Sequence, residues 1–180
     1  MKIFLNFMLV LLLFVNITGC NVADSQETEN KINSYKALPL QNLFVDIPEN
    51  YQKTSSEFYQ EYYICDDASI IITEDTREKQ YISAYDYSVQ ALLEYRNMTS
   101  SLELLSSDAI PSNQDFTIQT LEFNYTIGDD DDSAKLTCFV GYLTEGSSMY
   151  IITCKANTDT YQNHKEEFLS VMHSAVININ

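Results

Sequence analysis

Hydrophobic residues run from Ile3 to Val15 with only Asn6 between them, and from Asp24 to Lys36 the chain is mostly polar. From Leu43 onward the pattern alternates. LFVDIPENY (Leu43–Tyr51) reads as a strand closed by Pro48, which cannot donate to a ladder. FYQEYYIC, from Phe58, and ASIIITED, from Ala68, are strand-like runs on either side of Asp66-Asp67, the arrangement of a hairpin. At Ser83 the period changes. Tyr85, Val89, Leu92 and Arg96 recur every three or four residues, predicting a helix to Met98 with Ser83 as N-cap and Asp86 at N3.

From Ser100 to Asn113 no period stands out, and the stretch reads as loose up to Ile110-Pro111. Three further strands follow, Phe116–Ile127, Ala134–Leu143 and Met149–Ala156. They are separated by Gly128–Ser133 and Thr144–Ser148. A last helix is predicted from Asp159, as cap with Gln162 at N3, through an apolar stripe of Tyr161, Phe168, Val171, Met172 and Ala175. The order β-ββ-α-βββ-α, dominated by hairpins, implies an α+β fold: a central antiparallel sheet with helices packed on it.

The last hairpin suggests a register. With Leu143 facing Met149, the facing pairs are Leu136–Ala156, Cys138–Cys154, Val140–Ile152 and Tyr142–Tyr150, which puts one continuous apolar set on one face. That register sets Cys138 opposite Cys154. A cross-strand disulfide is then geometrically possible but strained; the alternative is two buried thiols packing as small hydrophobes.

The front end reads as an address. The thirteen residues span about 20 Å, short of the roughly 30 Å hydrocarbon core, so Ile3–Val15 fits a signal-peptide h-region better than a membrane span. Ile17-Thr18-Gly19-Cys20 resembles the bacterial lipobox: a branched apolar residue, two small residues that let the backbone enter a peptidase groove, and a cysteine whose thiol takes diacylglycerol. The expectation is a signal peptide over 1–19, a lipidated Cys20 with a solvated tether over 20–36, and one globular domain over 37–180. Two or three acyl chains hold a protein stably on a bilayer, where one would not. Sixteen tether residues reach roughly 20–25 Å. Asn21, rather than Asp, after the cysteine favours the outer membrane in a two-membrane cell, and a single-membrane cell fits equally.

Charge narrows the partners. The chain carries 10 basic and 26 acidic side chains, net −16. Nucleic acid is excluded because phosphate binding needs a basic face, and adhesion to anionic lipid by charge alone is excluded too. Acidity at this level keeps a surface protein soluble.

Candidate chemistry is thin. His164 and His173 lie nine residues apart on the last predicted helix and face opposite sides, so no shared metal site is expected; His164 with Glu167 reads as a solvated helix face. Asp129–Asp132 crowd one loop, yet their spacing is not that of a calcium-binding loop, and a solvated hairpin tip is the reading. Cys65 has no evident base. No nucleophile elbow, phosphate loop or Cys-x-x-Cys occurs. The tyrosines around Tyr59, Tyr62, Tyr63, Tyr81, Tyr85 and Tyr87 read as core edges, with a partner-binding patch as the second reading.

LFVDIPENY, the helix before the central meander, MYIITCKANTDTY and FLSVMHSAV together resemble the PsbP-like family, which includes bacterial lipoproteins of the DcrB type. The resemblance spans Leu40 to Ile177. It implies helices on both faces of the sheet, an α/β/α sandwich, and an accessory or binding role without a reaction; no ligand-contacting residue carries over. The expected function is that of a lipid-anchored extracytoplasmic lipoprotein, not an enzyme, without cofactor or metal, acting through an unidentified protein partner. An envelope calcium-binding protein or an envelope enzyme is the alternative.

Overall fold

Long apolar runs such as CFVGYL (138–143) and MYIITC (149–154) have hydrophobic side chains on both strand faces and need cover on both sides. The computed structural model describes residues 40, 42–76, 83–114, 116–127 and 134–178, and it supplies that cover. Cys20, the tether and Asp129–Asp132 lie outside the described residues.

The strands are β1 (Leu43–Phe44), β2 (Gln52–Lys53), β3 (Glu61–Cys65), β4 (Ala68–Thr76), β5 (Ser101–Pro111), β6 (Thr117–Ile127), β7 (Ala134–Glu145), β8 (Ser148–Asn157) and β9 (Val176–Ile177). The helices are α1 (Ala84–Met98), before β5, and α2 (Tyr161–Ser174), before β9. Seven strands form one antiparallel sheet in the order β2-β3-β4-β8-β7-β6-β5, and β1 pairs with β9 apart from it. The expected α+β class is what the structure has.

One helix covers each face. Under α1 lie Leu121, Phe123 and Tyr125 of β6, Cys138, Val140 and Tyr142 of β7, and Met149 and Ile151 of β8. Under α2 lie Ile70 and Ile72 of β4, Phe139 and Leu143 of β7, and Tyr150, Ile152 and Cys154 of β8. Gly141 lets α2 approach the sheet: a Cβ there would sit 2.6 Å from the Met172 sulfur and 3.0 Å from Ile118.

Both helices form where the pattern places them. Ser83 caps α1, its hydroxyl accepting from the Asp86 N–H at 3.0 Å and donating to the Asp86 carboxylate at 2.8 Å. The predicted stripe of α1 is only partly the buried one. The helix buries Tyr87, Ser88, Ala91 and Tyr95, while Tyr85, Val89 and Arg96 face solvent. The expected stripe of α2 is buried, but its N-cap is Thr160 rather than Asp159, without a side-chain cap bond.

Three expectations need correction. Ser101–Pro111 is an eleven-residue edge strand on β6, with a bulge between Leu104 and Ser106. Most of its side chains are exposed, so tertiary pairing rather than burial makes the strand. LFVDIPENY contributes one two-residue strand, β1, which pairs with β9 apart from the main sheet; β2, the first strand of that sheet, begins just after it at Gln52.

The β7–β8 register is one residue away from the expected one: Thr144 faces Met149, Tyr142 faces Ile151, and Cys138 faces Lys155. The reason is the turn. Glu145 pairs with Ser148 across Gly146-Ser147 alone, and Gly146 adopts the positive φ of +58° that a tight hairpin turn requires. Because both sheet faces are buried, splitting the apolar residues between them carries no penalty. Cys138 and Cys154 consequently project to opposite faces, and both are free thiols, so the expected Cys138–Cys154 bridge is not made.

Candidate functional site

The β3–β4 turn brings Cys65 and Asp67 to the N-terminal end of α2, and the loop after β1 brings Asn50 and Tyr51 to the same place. A two-residue turn needs φ > 0 at a central position, and Asp66, a residue that tolerates it, has φ 48°. His164 and Glu167 sit one turn apart on α2 and face the cluster.

This is the one described meeting of cysteine, histidine and carboxylate. His164 Nε2 is 3.2 Å from Asp67 Oδ1, and Nδ1 is 3.6 Å from Glu167 Oε2. The ring also stacks on Phe168 with centroids 5.9 Å apart. Its side chain is only 14% exposed, so His164 is half-enclosed rather than on a solvated face. Asp67 also accepts from the Thr160 hydroxyl. That bond, followed by His164, holds the Asp67 carboxyl below the usual carboxylate range. Asn50 donates to Glu167 Oε1 at 3.3 Å and to Cys65 Sγ at 3.5 Å. The buried Tyr51 hydroxyl meets no partner at hydrogen-bonding geometry; burial and the Glu167 charge push its pKa up.

The parts resemble a nucleophile–base–orienter set, but the wiring does not. A thiol nucleophile needs a base within hydrogen-bonding reach and a lowered pKa. Here both imidazole nitrogens face carboxylates. Burial and the adjacent Asp66 charge raise the Cys65 thiol instead of activating it. The cluster binds α2 to the first hairpin. Among the described residues no group of three His, Cys, Asp or Glu is arranged to hold a metal ion. His173 is at the other end of α2, its Nδ1 2.8 Å from the Pro111 carbonyl, and shares nothing with His164.

Two features were not anticipated from sequence. Lys155 is 7% exposed beneath α1 and faces Cys138 across the ladder. Burial lowers its amine to about 7, with Cys138 opposing, while burial pushes the Cys138 thiol up to about 11. A lysine inside the apolar run ITCKA was the available signal. The other feature is the outer face of α1, where Tyr85, Val89 and Leu93 are 58%, 42% and 55% exposed. Of the tyrosines weighed as core edge or partner patch, Tyr59 and Tyr87 are buried and Tyr85 is not; Tyr81 lies outside the described residues.

No protein-family model and no curated protein matches the chain. Solved structures do. The chain is similar to the cyanobacterial PsbP protein CyanoP of Synechocystis sp. PCC 6803, with TM-score 0.56 and 12% identity over 83% of this chain and 100% of that one. It is similar to LpqN of Mycobacterium tuberculosis, described as involved in cell envelope biogenesis, with TM-score 0.53 and 9% identity over 76% of this chain and 83% of that one. It is also similar to the Ran-binding protein Mog1p of Saccharomyces cerevisiae, with TM-score 0.51 and 15% identity over 76% of this chain and 90% of that one. At these identities the likeness establishes the fold, which is PsbP-like.

Proposed function

We propose that this protein is an extracytoplasmic lipoprotein, held to a membrane by acyl chains on Cys20, whose PsbP-like domain acts by binding a protein partner rather than by catalysis. The observation that carries the non-catalytic reading is the wiring of His164: its two nitrogens face Asp67 and Glu167 rather than a nucleophile. The lipobox-like ITGC and the preceding apolar run support the anchor. Among the described residues no helix is long and apolar enough to cross a membrane. That LpqN is tied to the envelope and Mog1p binds Ran supports, by analogy of fold, an envelope-located binding module.

Metabolic labelling with a palmitate analogue tests the anchor. The wild type is expected to take up label and sediment with membranes; Cys20→Ala is expected to do neither. Equal labelling of the two proteins removes the anchor from the account.

A further inference from the structure

The sheet ends in two unlike edges. β2 is two residues long and carries Lys53, a short charged edge that resists a further strand. β5 is eleven residues long and, among the described residues, pairs only with β6. Its outer backbone row is a template for one more antiparallel strand. The outer ridge of α1, Tyr85–Val89–Leu93, is exposed too, but side chains alone do not say what covers them, whereas a backbone row calls for a strand. The bulge in β5 sets what that strand must look like. Leu102 packs into the core under α1 and Ile110 into the core under α2, so positions eight apart lie on opposite faces. Regular alternation would put them on the same face. The switch is at the bulge: Leu104 pairs with Phe123 and Ser106 with Glu122, with Leu105 between them. Even positions face α1 before it, and odd positions face α1 after it.

We propose that β5 pairs with β5 of a second copy across a two-fold axis at the bulge, joining the two sheets into one. Facing residues of an antiparallel pair share a face. Of the registers that run through the bulge, two keep that match at every position beside Leu105. One sets Glu103 against Asp108 of the second copy, twice over, which like charge disfavours. The other sets Glu103 against Ser106, Asp108 against Ser101 and Leu102 against Ser107. In that register Leu104 and Leu105, 38% and 46% exposed, meet at the axis. A foreign strand of regular alternation would leave one β5 residue unpaired, as β6 does, whereas a second copy brings a matching bulge. The contact is isologous and closes at two. Each copy carries −16, so charge opposes the approach and salt relieves it. A ladder of eight residues per copy is also smaller than the roughly 1,200 Å² of a standard interface, which places the dimer in the weak class. It needs neither the anchor nor a foreign partner.

Full-length protein in a mild non-ionic detergent, at about 100 µM, tests this by cysteine crosslinking with a short bis-maleimide, scored above the wild-type background. Ser101→Cys and Asp108→Cys are mixed in equal amounts. The two cysteines face each other across the axis, and the mixture is expected to give at least about five-fold more dimer than either variant alone, in which like cysteines stand seven residues out of register, about 23 Å apart. Leu105→Glu in both chains is expected to abolish the mixed product with an unchanged melting temperature, since that side chain is half in water. Should it melt early, Ser107→Glu replaces it with the same expectation. Raising salt to about 0.5 M is expected to increase the yield. A mixture that crosslinks no more than its components, undiminished product with the glutamate variant, or a yield that falls with salt overturns the inference. Equal crosslinking of Gln52→Cys, on β2, overturns it in favour of another contact surface. The readout is the same with or without acyl chains on the protein, so failure of the palmitate test leaves this one unaffected.

Discussion

The two faces of the sheet are covered by helices of nearly equal length and are built differently. The α2 face is sealed by mixed aliphatic and aromatic packing, with Phe168, Val171 and Met172 fully buried. Polar bonds tie the helix down along its length. His164 meets Asp67 near its start, and Lys165 reaches the buried Glu122 at 2.8 and 3.0 Å. His173 meets the Pro111 carbonyl at its end. Its outward side chains are polar.

The α1 face has its aromatic rings in mutual contact. Tyr95 and Phe123 lie 4.8 Å apart, Tyr87 and Tyr142 5.5 Å, and Phe123 and Tyr125 5.9 Å, with a lysine enclosed beneath them. The outer surface of α1 is the exposed apolar ridge. The contrast separates a helix whose polar and apolar groups are all used in holding the fold from one that keeps apolar surface in reserve. Structural need accounts for α2 and leaves half of α1 unexplained.

Truncation of Phe168 should produce the largest effect. Phe168→Ala empties a fully buried site between α2 and the sheet, and a loss of about 3–5 kcal/mol in urea unfolding is expected. A loss below about 1 kcal/mol would mean that α2 is not the sealed side.

Lys155 sharpens the comparison through pH. Its amine sits at about 7 when folded, against about 10.4 for an unfolded lysine. Unfolding therefore takes up a proton between those values, and stability owed to this group rises with pH across that window. Below pH 7 the cost of burial is fully present, and above about 10.5 it has gone. Lys155→Met should remove that slope, and the gap between variant and wild type, a few kcal/mol in order of magnitude at pH 7, should close as pH approaches 10. A gap that does not change with pH would mean that the amine keeps its ordinary pKa in the fold.

Ser83→Ala removes the α1 cap and should cost about 1 kcal/mol, measurable by thermal melting against Thr160→Ala. Thr160 makes no cap bond and instead anchors Asp67. The smallest effect belongs to the ridge. Leu93→Ser should change stability by less than about 0.5 kcal/mol, because the side chain is mostly in water. A larger destabilisation would make the ridge part of the fold and leave no surface in reserve.

How much was legible in the sequence follows the same division. The two helices, the Asp66-Asp67 hairpin and the β6–β7–β8 meander are visible because each carries its own period and its own turn or cap residues. Strand β5 is not, since SLELLSSDAIP has no alternation and becomes a strand only by pairing along β6. The His164–Asp67–Glu167 cluster joins residues about a hundred positions apart, and only packing brings Asp67 to the helix.

What the sequence determined on its own is local and compositional. An N-terminal apolar run ends at a lipobox-like cysteine, the domain is acidic, and the secondary elements occur in an order that makes an antiparallel sheet. These follow from side-chain period, turn chemistry and charge, which act over a few residues. Only the tertiary structure decided which side of each element is inside. Cys138 and Cys154 face apart because the Gly146 turn shifts the register by one residue and both sheet faces are covered. Tyr85 and Val89 face water because Tyr87, Ala91 and Tyr95 fit the aromatic face better. With apolar residues on every side of a strand or helix, periodicity cannot choose a face, and competition for the available core makes the choice.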